Sequence, residues 1–453
     1  MFDVAVVGGG VVGCAVARRF TLQGARVLLL EKGADILSGA SKGNSAILHT
    51  GFDAPAGSLE LGCMQAGYRE YLEIRDRLGL PLLESGAVVA AWTGAQYAKL
   101  AGIEAAAHEN GVADVRLISR EEILAREPAL SAQVLGGVLV PGEFLIDPWS
   151  APLGYLLQAL ENGAEVRRNT EVLGGGFDGV WRLETSTGEV RARFVINCAG
   201  LFGDVLEERL LGAQSFTIKP RKGQFVVFDK AAARLLRTIM LPVPEERTKG
   251  IVLTPTVFGN LLVGPTAEEQ ESRERADTES GTLRMLVDKA VEILPGLRDM
   301  PVTAIYAGIR PATEEKAYRV RQEPGRNYIV LGGIRSTGLT AALGLARHAW
   351  ALYGGTHAAV AEPVWPRAPR LAEHCARDWQ EAGYGEIICH CEMVTRREIE
   401  AALAGALPAT EWGGLKRRTR AGMGRCQGFY CHAALAGLTA GKLQPPLAES
   451  GHD

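Results

Sequence analysis

The chain has 453 residues, a formal net charge of -3 and a sequence pI near 6.3. This length allows two or three domains, and the charge excludes the strong basic field that nucleic acids or anionic membranes attract. No stretch approaches the roughly 20 uninterrupted apolar residues of a membrane-spanning helix, so we expect no transmembrane segment and a cytoplasmic protein, in which cysteines are thiols or metal ligands rather than disulfides.

The first 31 residues predict a strand, a glycine turn, a helix and a second strand. Gly8, Gly10 and Gly13 form G-x-G-x-x-G at the junction of strand and helix. The first glycine allows a tight turn, the second lets the backbone approach a pyrophosphate, and the third lets the helix pack on the strand. Glu31 ends the second strand, where a carboxylate can bind a ribose 2′-hydroxyl. The pattern therefore predicts a dinucleotide site, which FAD and NAD both satisfy.

Apolar periodicity indicates the elements that follow. They are a helix at 61–79, a mixed helical segment at 100–130, a helix and strand at 148–172, an apolar strand at 193–200, an antiparallel sheet over 220–266, and a strand, glycine turn and helix at 327–352. The last helix favours FAD over NAD, because its positive N-terminus can stabilise the negative charge of a reduced flavin.

After a proline-containing linker, the C-terminal segment carries cysteines in a C-x-C and a C-x4-C pair: Cys389, Cys391, Cys426 and Cys431. Four thiolates suffice for one 2Fe-2S cluster, with two thiolates on each iron. Structural zinc is the alternative, although its cysteines are usually spaced C-x2-4-C. We expect the other cysteines to pack in the interior: Cys14, Cys63, Cys198 and Cys375. The basic run 416–425 either offsets the charge of a cluster, docks an electron carrier or forms a solvated helix face.

Several stretches resemble glycine- and D-amino-acid-oxidase-type flavoproteins, in particular the branch with anaerobic glycerol-3-phosphate dehydrogenase and the L-2-hydroxyglutarate oxidases. They are residues 40–60, 220–230, 253–269, 307–313 and 331–345. The C-terminal segment resembles the bacterioferritin-associated-ferredoxin-like 2Fe-2S domain that is fused to flavoproteins of this kind. The resemblance implies FAD and a 2Fe-2S cluster as cofactors.

The implied fold is mixed α/β: a Rossmann-like FAD-binding domain of the two-dinucleotide type, an antiparallel-sheet substrate domain and a small 2Fe-2S domain. The corresponding ranges are 1–85, 145–215 and 305–360 for the FAD-binding domain, 86–144 and 216–304 for the substrate domain, 361–380 for the linker and 381–453 for the 2Fe-2S domain. By the same resemblance, residues beyond the glycine turn contact FAD: Ser41, Asn44, Ser45, Val172, Ala199, Gly200, Gly333, Gly338, Leu339 and Thr340.

The resemblance also implies catalytic residues. His49 lies in the loop that passes the flavin, and histidine can accept a hydroxyl proton near neutral pH. Arg310, Arg335 and Lys222 are candidates for binding a substrate anion, because a fixed cation suits carboxylate or phosphate. The alternatives are a structural histidine and cations in surface positions or internal salt bridges. Phe258 stands where relatives often have a polar residue and predicts a more apolar pocket.

We therefore expect a dehydrogenase of a small anionic alcohol, with sn-glycerol 3-phosphate as the first choice and dihydroxyacetone phosphate as its product. A 2-hydroxy acid such as L-2-hydroxyglutarate, or an amine or amino acid, is the alternative substrate. The cluster favours a dehydrogenase, since an oxidase can hand its electrons directly to oxygen. Expected partners are an electron-acceptor protein or quinone-linked carrier, with additional flavin or iron-sulfur subunits that bring the chain to the inner membrane.

Two other classes stay open. One is a non-catalytic electron-transfer or metal-binding module that keeps a flavin fold. The other is a flavin enzyme that modifies RNA, which the acidic pI and the lack of a basic stripe disfavour. No nucleic-acid partner is expected.

Overall fold

The computed structural model of the chain describes residues 1–244 and 250–448. The strands are β1 (Phe2–Val7), β2 (Val27–Leu30), β3 (Ile47–Leu48), β4 (Leu82–Leu83), β5 (Ala87–Ala91), β6 (Arg116–Ser119), β7 (Gly136–Val140), β8 (Phe144–Ile146), β9 (Glu165–Arg167), β10 (Val172–Phe177), β11 (Trp181–Thr185), β12 (Gly188–Asn197), β13 (Ile218–Phe228), β14 (Ile239–Pro242), β15 (Val252–Pro255), β16 (Leu261–Gly264), β17 (Glu268–Glu269), β18 (Val302–Thr313), β19 (Arg319–Glu323), β20 (Tyr328–Gly332), β21 (Ile387–Cys389) and β22 (Val394–Thr395). The helices are α1 (Val11–Leu22), α2 (Leu59–Leu78), α3 (Gly94–Tyr97), α4 (Leu100–Glu109), α5 (Arg120–Arg126), α6 (Ser150–Glu161), α7 (Gly203–Leu211), α8 (Ser280–Ile293), α9 (Gly338–Tyr353), α10 (Arg396–Ala402), α11 (Trp412–Thr419) and α12 (His432–Thr439). Among these described elements, no helix has the length and apolar character required to cross a membrane.

An eight-stranded sheet has the N-terminal strand near its centre. Its order is β10-β11-β12-β1-β2-β9, and β20 also pairs with β12 and carries β19 at its other edge. The pairs among β1, β2, β9, β12 and β20 are parallel. Apolar side chains cover both faces of these strands, which explains the continuous apolar run in β1. On one face, α1 packs against α6 and α9.

A nine-stranded sheet forms the second layer of the protein. Its order is β17-β13-β16-β15-β14-β5-β7-β6, and β18 pairs with β13 in antiparallel fashion along almost its whole length. Helix α8 packs on its apolar core. The antiparallel sheet predicted over 220–266 is confirmed. Because β18 belongs to this sheet, the domain boundary predicted between residues 304 and 305 falls inside a strand.

The C-terminal segment folds around its own small core. Strands β21 and β22 pair, and α10 to α12 bury Val394, Ile399, Leu415 and Leu435 between them. A capping box fixes the start of α10, where the Thr395 hydroxyl accepts a hydrogen bond from a backbone N–H and the side chain three residues later accepts one in return. This unit, residues 387–443, is called the cluster module below.

The segment predicted as a linker packs along the rest of the protein. Ala368 donates its N–H to Leu78, and Glu373 donates to Val257. Arg377 is wholly buried and donates to the carbonyl of Glu392 in the cluster module. The connection therefore holds the cluster module against the body of the protein instead of tethering it loosely.

Most of the basic run 416–425 faces the interior. Arg418 donates two hydrogen bonds to the buried carboxylate of Asp35 at 2.7 and 2.8 Å. Arg420 pairs with Glu392 at 2.8 Å. Because these charges are compensated inside the protein, this part of the run is neither a solvated helix face nor a free docking surface, two of the roles considered from the sequence.

Candidate active site

A cavity of about 360 Å³ lies where the parallel strands β1, β2, β12 and β20 end. Open α/β sheets bind ligands at the carboxyl ends of their strands, and this cavity has that position. Nine of the residues predicted to contact a dinucleotide line its wall: Gly8, Gly10, Glu31, Ser41, Val172, Ala199, Gly200, Gly333 and Gly338. The fold therefore brings together residues from four separate parts of the sequence.

The glycine turn leaves no room for side chains. Gly8 has φ +112°, and a Cβ atom there would collide with the carbonyl oxygen of Cys198. A Cβ atom at Gly13 would collide with the carbonyl of Gly8, so the helix could not approach the strand. Gly10 precedes α1 in an extended conformation, and the first turn of α1 lines the cavity. A phosphate placed there would meet backbone N–H groups at a positive helix end, as a pyrophosphate requires.

Glu31 is fixed in the wall by the backbone. Its Oε2 atom accepts from the N–H of Gly9 at 2.6 Å, and its Oε1 atom accepts from the N–H of Gly33 at 2.7 Å. Burial raises the pKa of this carboxyl group. Each oxygen keeps a lone pair after these bonds, so the side chain can still accept from a ribose hydroxyl. The turn and the acid together fit a dinucleotide such as FAD.

The remaining predicted cofactor residues, all within the described ranges, do not line this cavity. Gly13 lies beneath the glycine turn, and Leu339 belongs to the core. Asn44, next to Ser45, accepts from the N–H of Ala46 at 2.6 Å and so stabilises the loop. The hydroxyl of Thr340 accepts from the N–H of His49 at 3.0 Å.

His49 is paired with a carboxylate that the sequence did not point to. Its Nδ1 atom lies 2.7 Å from Oε2 of Glu143, which has no exposed side-chain surface. The other oxygen of Glu143 accepts from the N–H and the hydroxyl of Thr50 at 2.6 and 2.8 Å. An ionised carboxylate can only accept, so in a neutral imidazole beside it Nδ1 carries the proton and Nε2 carries the lone pair. The arrangement suits a general base.

The charge of Arg310 is offset in part by Glu268, although these two described residues form no direct ion pair. Its Nη2 atom donates to the carbonyl of Thr266 at 2.5 Å, and within residues 1–244 and 250–448 it forms no ion pair with a carboxylate. Desolvation, and then repulsion from Arg221 and Arg335, lowers the pKa of Arg310 to about 10. The group is still charged at neutral pH. Gly223 makes room for it, since a Cβ atom there would collide with Nη2.

Arg335 and Lys222 differ in how well they are paired. Arg335 lies 4.0 Å from Glu60, and its buried Nε atom has no hydrogen-bond acceptor among the described residues. Lys222 lies 3.1 Å from Glu268 and 2.5 Å from Glu279. Lys222 therefore forms the internal salt bridge that was its alternative interpretation, while Arg335 retains capacity to bind an anion.

Phe258 lies between the FAD-side loop and the cluster module rather than in the cavity wall. Its ring stacks on Trp149 with centroids 5.4 Å apart, and Cζ of Arg420 lies 4.1 Å from its centroid. The Trp149 indole donates to the carbonyl of Lys42 at 3.3 Å. The apolar ring thus supports an interface between domains.

The four cysteines of the cluster module interact electrostatically with one another. Burial is the largest cause that raises the pKa of the Cys391 and Cys431 thiols, and Cys426 and Cys389 contribute to raising both. Backbone N–H groups, first that of Tyr430, lower the pKa of the Cys426 thiol. In the described part of the chain, no three His, Cys, Asp or Glu side chains are grouped to hold one metal ion. Four thiols supply the donor set of a two-iron cluster, two on each iron, and the C-x-C spacing is unlike that of the usual zinc knuckle.

Both the part of the chain that forms the dinucleotide cavity and the cluster module match known protein families. Residues 3–352 match the family model of FAD dependent oxidoreductases, and residues 387–440 match that of the BFD-like 2Fe-2S binding domain. A glycerol 3-phosphate dehydrogenase of Caloramator mitchellensis is 30% identical over 100% of this chain and 97% of its own length. A glycerol 3-phosphate oxidase of Mycoplasma pneumoniae is 31% identical over 77% of this chain and 93% of its own length.

Solved structures of similar proteins share the fold of this chain. The dithionite-reduced L-alpha-glycerophosphate oxidase from Mycoplasma pneumoniae with FAD bound superposes with a TM-score of 0.75 at 27% identity, covering 80% of this chain and 97% of that one. A glycine oxidase from Geobacillus kaustophilus, at 24% identity and a TM-score of 0.69, covers 78% of this chain and 94% of its own, and it shares the fold.

Proposed function

We propose, from the premise that the chain belongs to the FAD dependent oxidoreductase family and carries a BFD-like 2Fe-2S domain, that it oxidises sn-glycerol 3-phosphate to dihydroxyacetone phosphate. The predicted family, fold class and cofactors, FAD and a 2Fe-2S cluster, are confirmed. The observation that carries the substrate is the match along the whole chain, cluster module included, to a glycerol 3-phosphate dehydrogenase.

The residues that would hold FAD are those of the cavity wall. The glycine turn and the first turn of α1 would bind the pyrophosphate, Glu31 the ribose, and the N-terminus of α9 at Gly338 the flavin ring. When bound, FAD supplies the hydride acceptor, and the cluster on the four cysteines carries electrons onward one at a time.

The base in this proposal is Nε2 of His49. It takes the proton of the C2 hydroxyl while the C2 hydrogen leaves as hydride, so that the alcohol becomes a ketone. Glu143 holds Nδ1–H and stabilises the imidazolium that forms. Thr50 anchors Glu143 with two hydrogen bonds, which keeps the ring in one orientation.

Arg310 and Arg335 would bind the substrate phosphate. Both are partly buried, and the charge of Arg335 contributes to lowering the pKa of Arg310, which supports a shared anion site. An anion between them would compensate the charge that Arg310 holds unpaired in the described part of the chain. Binding of this kind favours a phosphate or carboxylate substrate over a neutral alcohol.

The test is an absorption spectrum of the purified holoenzyme before and after substrate, without oxygen. We expect glycerol 3-phosphate to bleach the flavin band and then the cluster bands, and a one-electron acceptor to restore both. Bleaching only by L-2-hydroxyglutarate, or only by an amine or amino acid, would replace the substrate in this proposal. Bleaching by none of them would point to the non-catalytic alternative.

A further inference from the structure

Two aromatic side chains stand exposed beside the cysteines of the cluster module. Phe429 is 82% exposed and Tyr430 is 75% exposed, more than any other large apolar side chain that the structure describes. Their rings contact edge to face, with centroids 5.1 Å apart. Both lie between the ligand candidates Cys426 and Cys431. Exposed aromatic surface of this size is typical of a protein contact.

The loop that carries these rings has a fixed backbone. Gln427 and Gly428 adopt φ +51° and +92°, which folds the chain back over Cys426. The N–H of Phe429 donates to the carbonyl of Cys426 at 3.0 Å, and the N–H groups of Cys431 and His432 donate to the carbonyl of Gly428 at 3.0 and 2.9 Å. These backbone bonds hold the loop in one conformation, in which both rings are exposed. The exposed surface is thus presented by the same loop that supplies a ligand.

The loop and helix α12, which follows it, contain no acidic residue, lysine or arginine. From residue 426 to residue 441 the sequence contains no Asp, Glu, Lys or Arg, in a chain with 22% charged residues. The exposed Ala433 and Ala434 of α12 extend the apolar surface. The arginines that precede the loop are paired with carboxylates, Arg420 with Glu392 and Arg425 with Asp229. The Arg425 side chain is 66% exposed but is paired with Asp229, so the loop and α12 present no unpaired acidic, lysine or arginine side chain to a partner.

We propose that Phe429 and Tyr430 form the docking site for a one-electron acceptor protein whose contacting face is apolar and uncharged. The inference rests on the proposed function, in which electrons leave through the cluster. Each encounter would oxidise the cluster by one electron and reduce the acceptor by one, so two encounters follow each substrate oxidised. Aromatic side chains at the centre of a small interface carry much of its binding energy, and short-lived electron-transfer complexes have small interfaces.

The charge pattern decides the kind of partner. An acidic carrier would need free cations beside the cluster, and a basic one would need free carboxylates. The loop and α12 offer neither, so binding depends on apolar contact and is insensitive to salt.

The test replaces the unidentified acceptor by electrode surfaces of known chemistry. Holoenzyme is adsorbed on gold monolayers that end in methyl, carboxylate or trimethylammonium groups, and voltammetry measures the electron-transfer rate of the cluster. We expect the fastest exchange on the methyl surface, with no effect of added NaCl. The F429S/Y430S variant should lower that rate by about tenfold or more, and Y430S alone by less.

The matched control is V364S, which removes an apolar side chain that is 51% exposed in the segment before the cluster module. It should keep the wild-type rate, and electron paramagnetic resonance should show an intact cluster in every variant compared. Fastest exchange on a charged surface, or an unchanged rate in F429S/Y430S, would overturn the proposal.

The electrode reduces the cluster directly, so this result does not depend on glycerol 3-phosphate being the substrate. Two further measurements test other binding partners of the aromatic pair. Sedimentation velocity detects self-association, and flotation with phosphatidylcholine vesicles detects binding to a membrane. Self-association or vesicle binding that F429S/Y430S abolishes would assign the pair to a second copy or to a membrane, and would also overturn the proposal.

Discussion

The Nδ1 atom of His49 lies 2.7 Å from the Oε2 atom of Glu143, and the glutamate side chain is completely enclosed. Since the other oxygen of Glu143 accepts two hydrogen bonds from Thr50, the carboxylate cannot rotate freely. In a neutral imidazole this geometry assigns the proton to Nδ1 and the lone pair to Nε2.

The variant E143Q tests this assignment. The amide oxygen would keep the two donors of Thr50, which turns the NH2 group toward Nδ1 and moves the imidazole proton to Nε2. We expect kcat to fall by about 100-fold or more with little change in KM, because the base has the wrong tautomer. Stopped-flow measurement of flavin reduction gives this rate directly. E143D is the control, and a kcat in E143Q close to wild type would contradict the assignment.

Substitution of Arg310 should weaken substrate binding. In R310Q the substrate phosphate loses a charged hydrogen bond of about 1.5–3 kcal/mol, so KM for glycerol 3-phosphate should rise about 10- to 100-fold. The control is R221Q, opposite Arg310 in the strand register and already paired with Glu269. It should change KM by about twofold at most. A loss of kcat without a change in KM would argue against a binding role.

Lys222 provides a contrasting case. Because Glu268 and Glu279 already compensate its charge, K222M should leave KM for glycerol 3-phosphate within about twofold of wild type while lowering the melting temperature. Steady-state kinetics and thermal unfolding together check this. A rise in KM as large as in R310Q would return Lys222 to the substrate site.

The contact between Asp35 and Arg418 should stabilise the docked cluster module. R418M leaves the carboxylate of Asp35 buried, with Arg168 at 3.5 Å as its remaining ion-pair partner. We therefore expect the free energy of unfolding to fall by about 3–5 kcal/mol. The double variant D35N/R418M should lose less, because no buried carboxylate is left without its partner. Denaturant unfolding followed by cluster absorbance measures both.

The control for this pair is R397M. Arg397 also pairs with an aspartate, Asp378, but its side chain is 44% exposed, so the loss should stay below about 1 kcal/mol. Equal losses of unfolding free energy in R418M and R397M would show that the buried pair stabilises the protein no more than the exposed pair does.

Local patterns of the sequence predicted the elements of both cofactor sites. The glycine turn, the acid that follows β2 and each pair of cysteines occupy a few neighbouring positions, since tight turns and ligand pairs need fixed spacing. Side chains that meet only in the folded protein left no such signal. Glu143 lies 94 positions from His49, and Arg418 lies 383 positions from Asp35.

The predicted boundary between residues 304 and 305 falls inside a strand for a related reason. The family resemblance assigned 305–360 to the FAD-binding domain, but the strand Val302–Thr313 runs through that point because it pairs continuously with β13. A strand is defined by its partner as much as by its own residues. The role of the basic run 416–425 was ambiguous for the same reason, because the carboxylates that pair with Arg418 and Arg420 lie far away in the sequence or are buried.

Asp35 also has a consequence for how such chains can change over evolution. It belongs to the loop beside the FAD cavity, yet its compensating cation comes from the C-terminal module. A family member that lost the module would bury a carboxylate with a weakened partner and would be expected to replace it with a neutral residue. Members that keep the module should keep both the acid at position 35 and the base at position 418. The two positions should therefore be retained together or lost together.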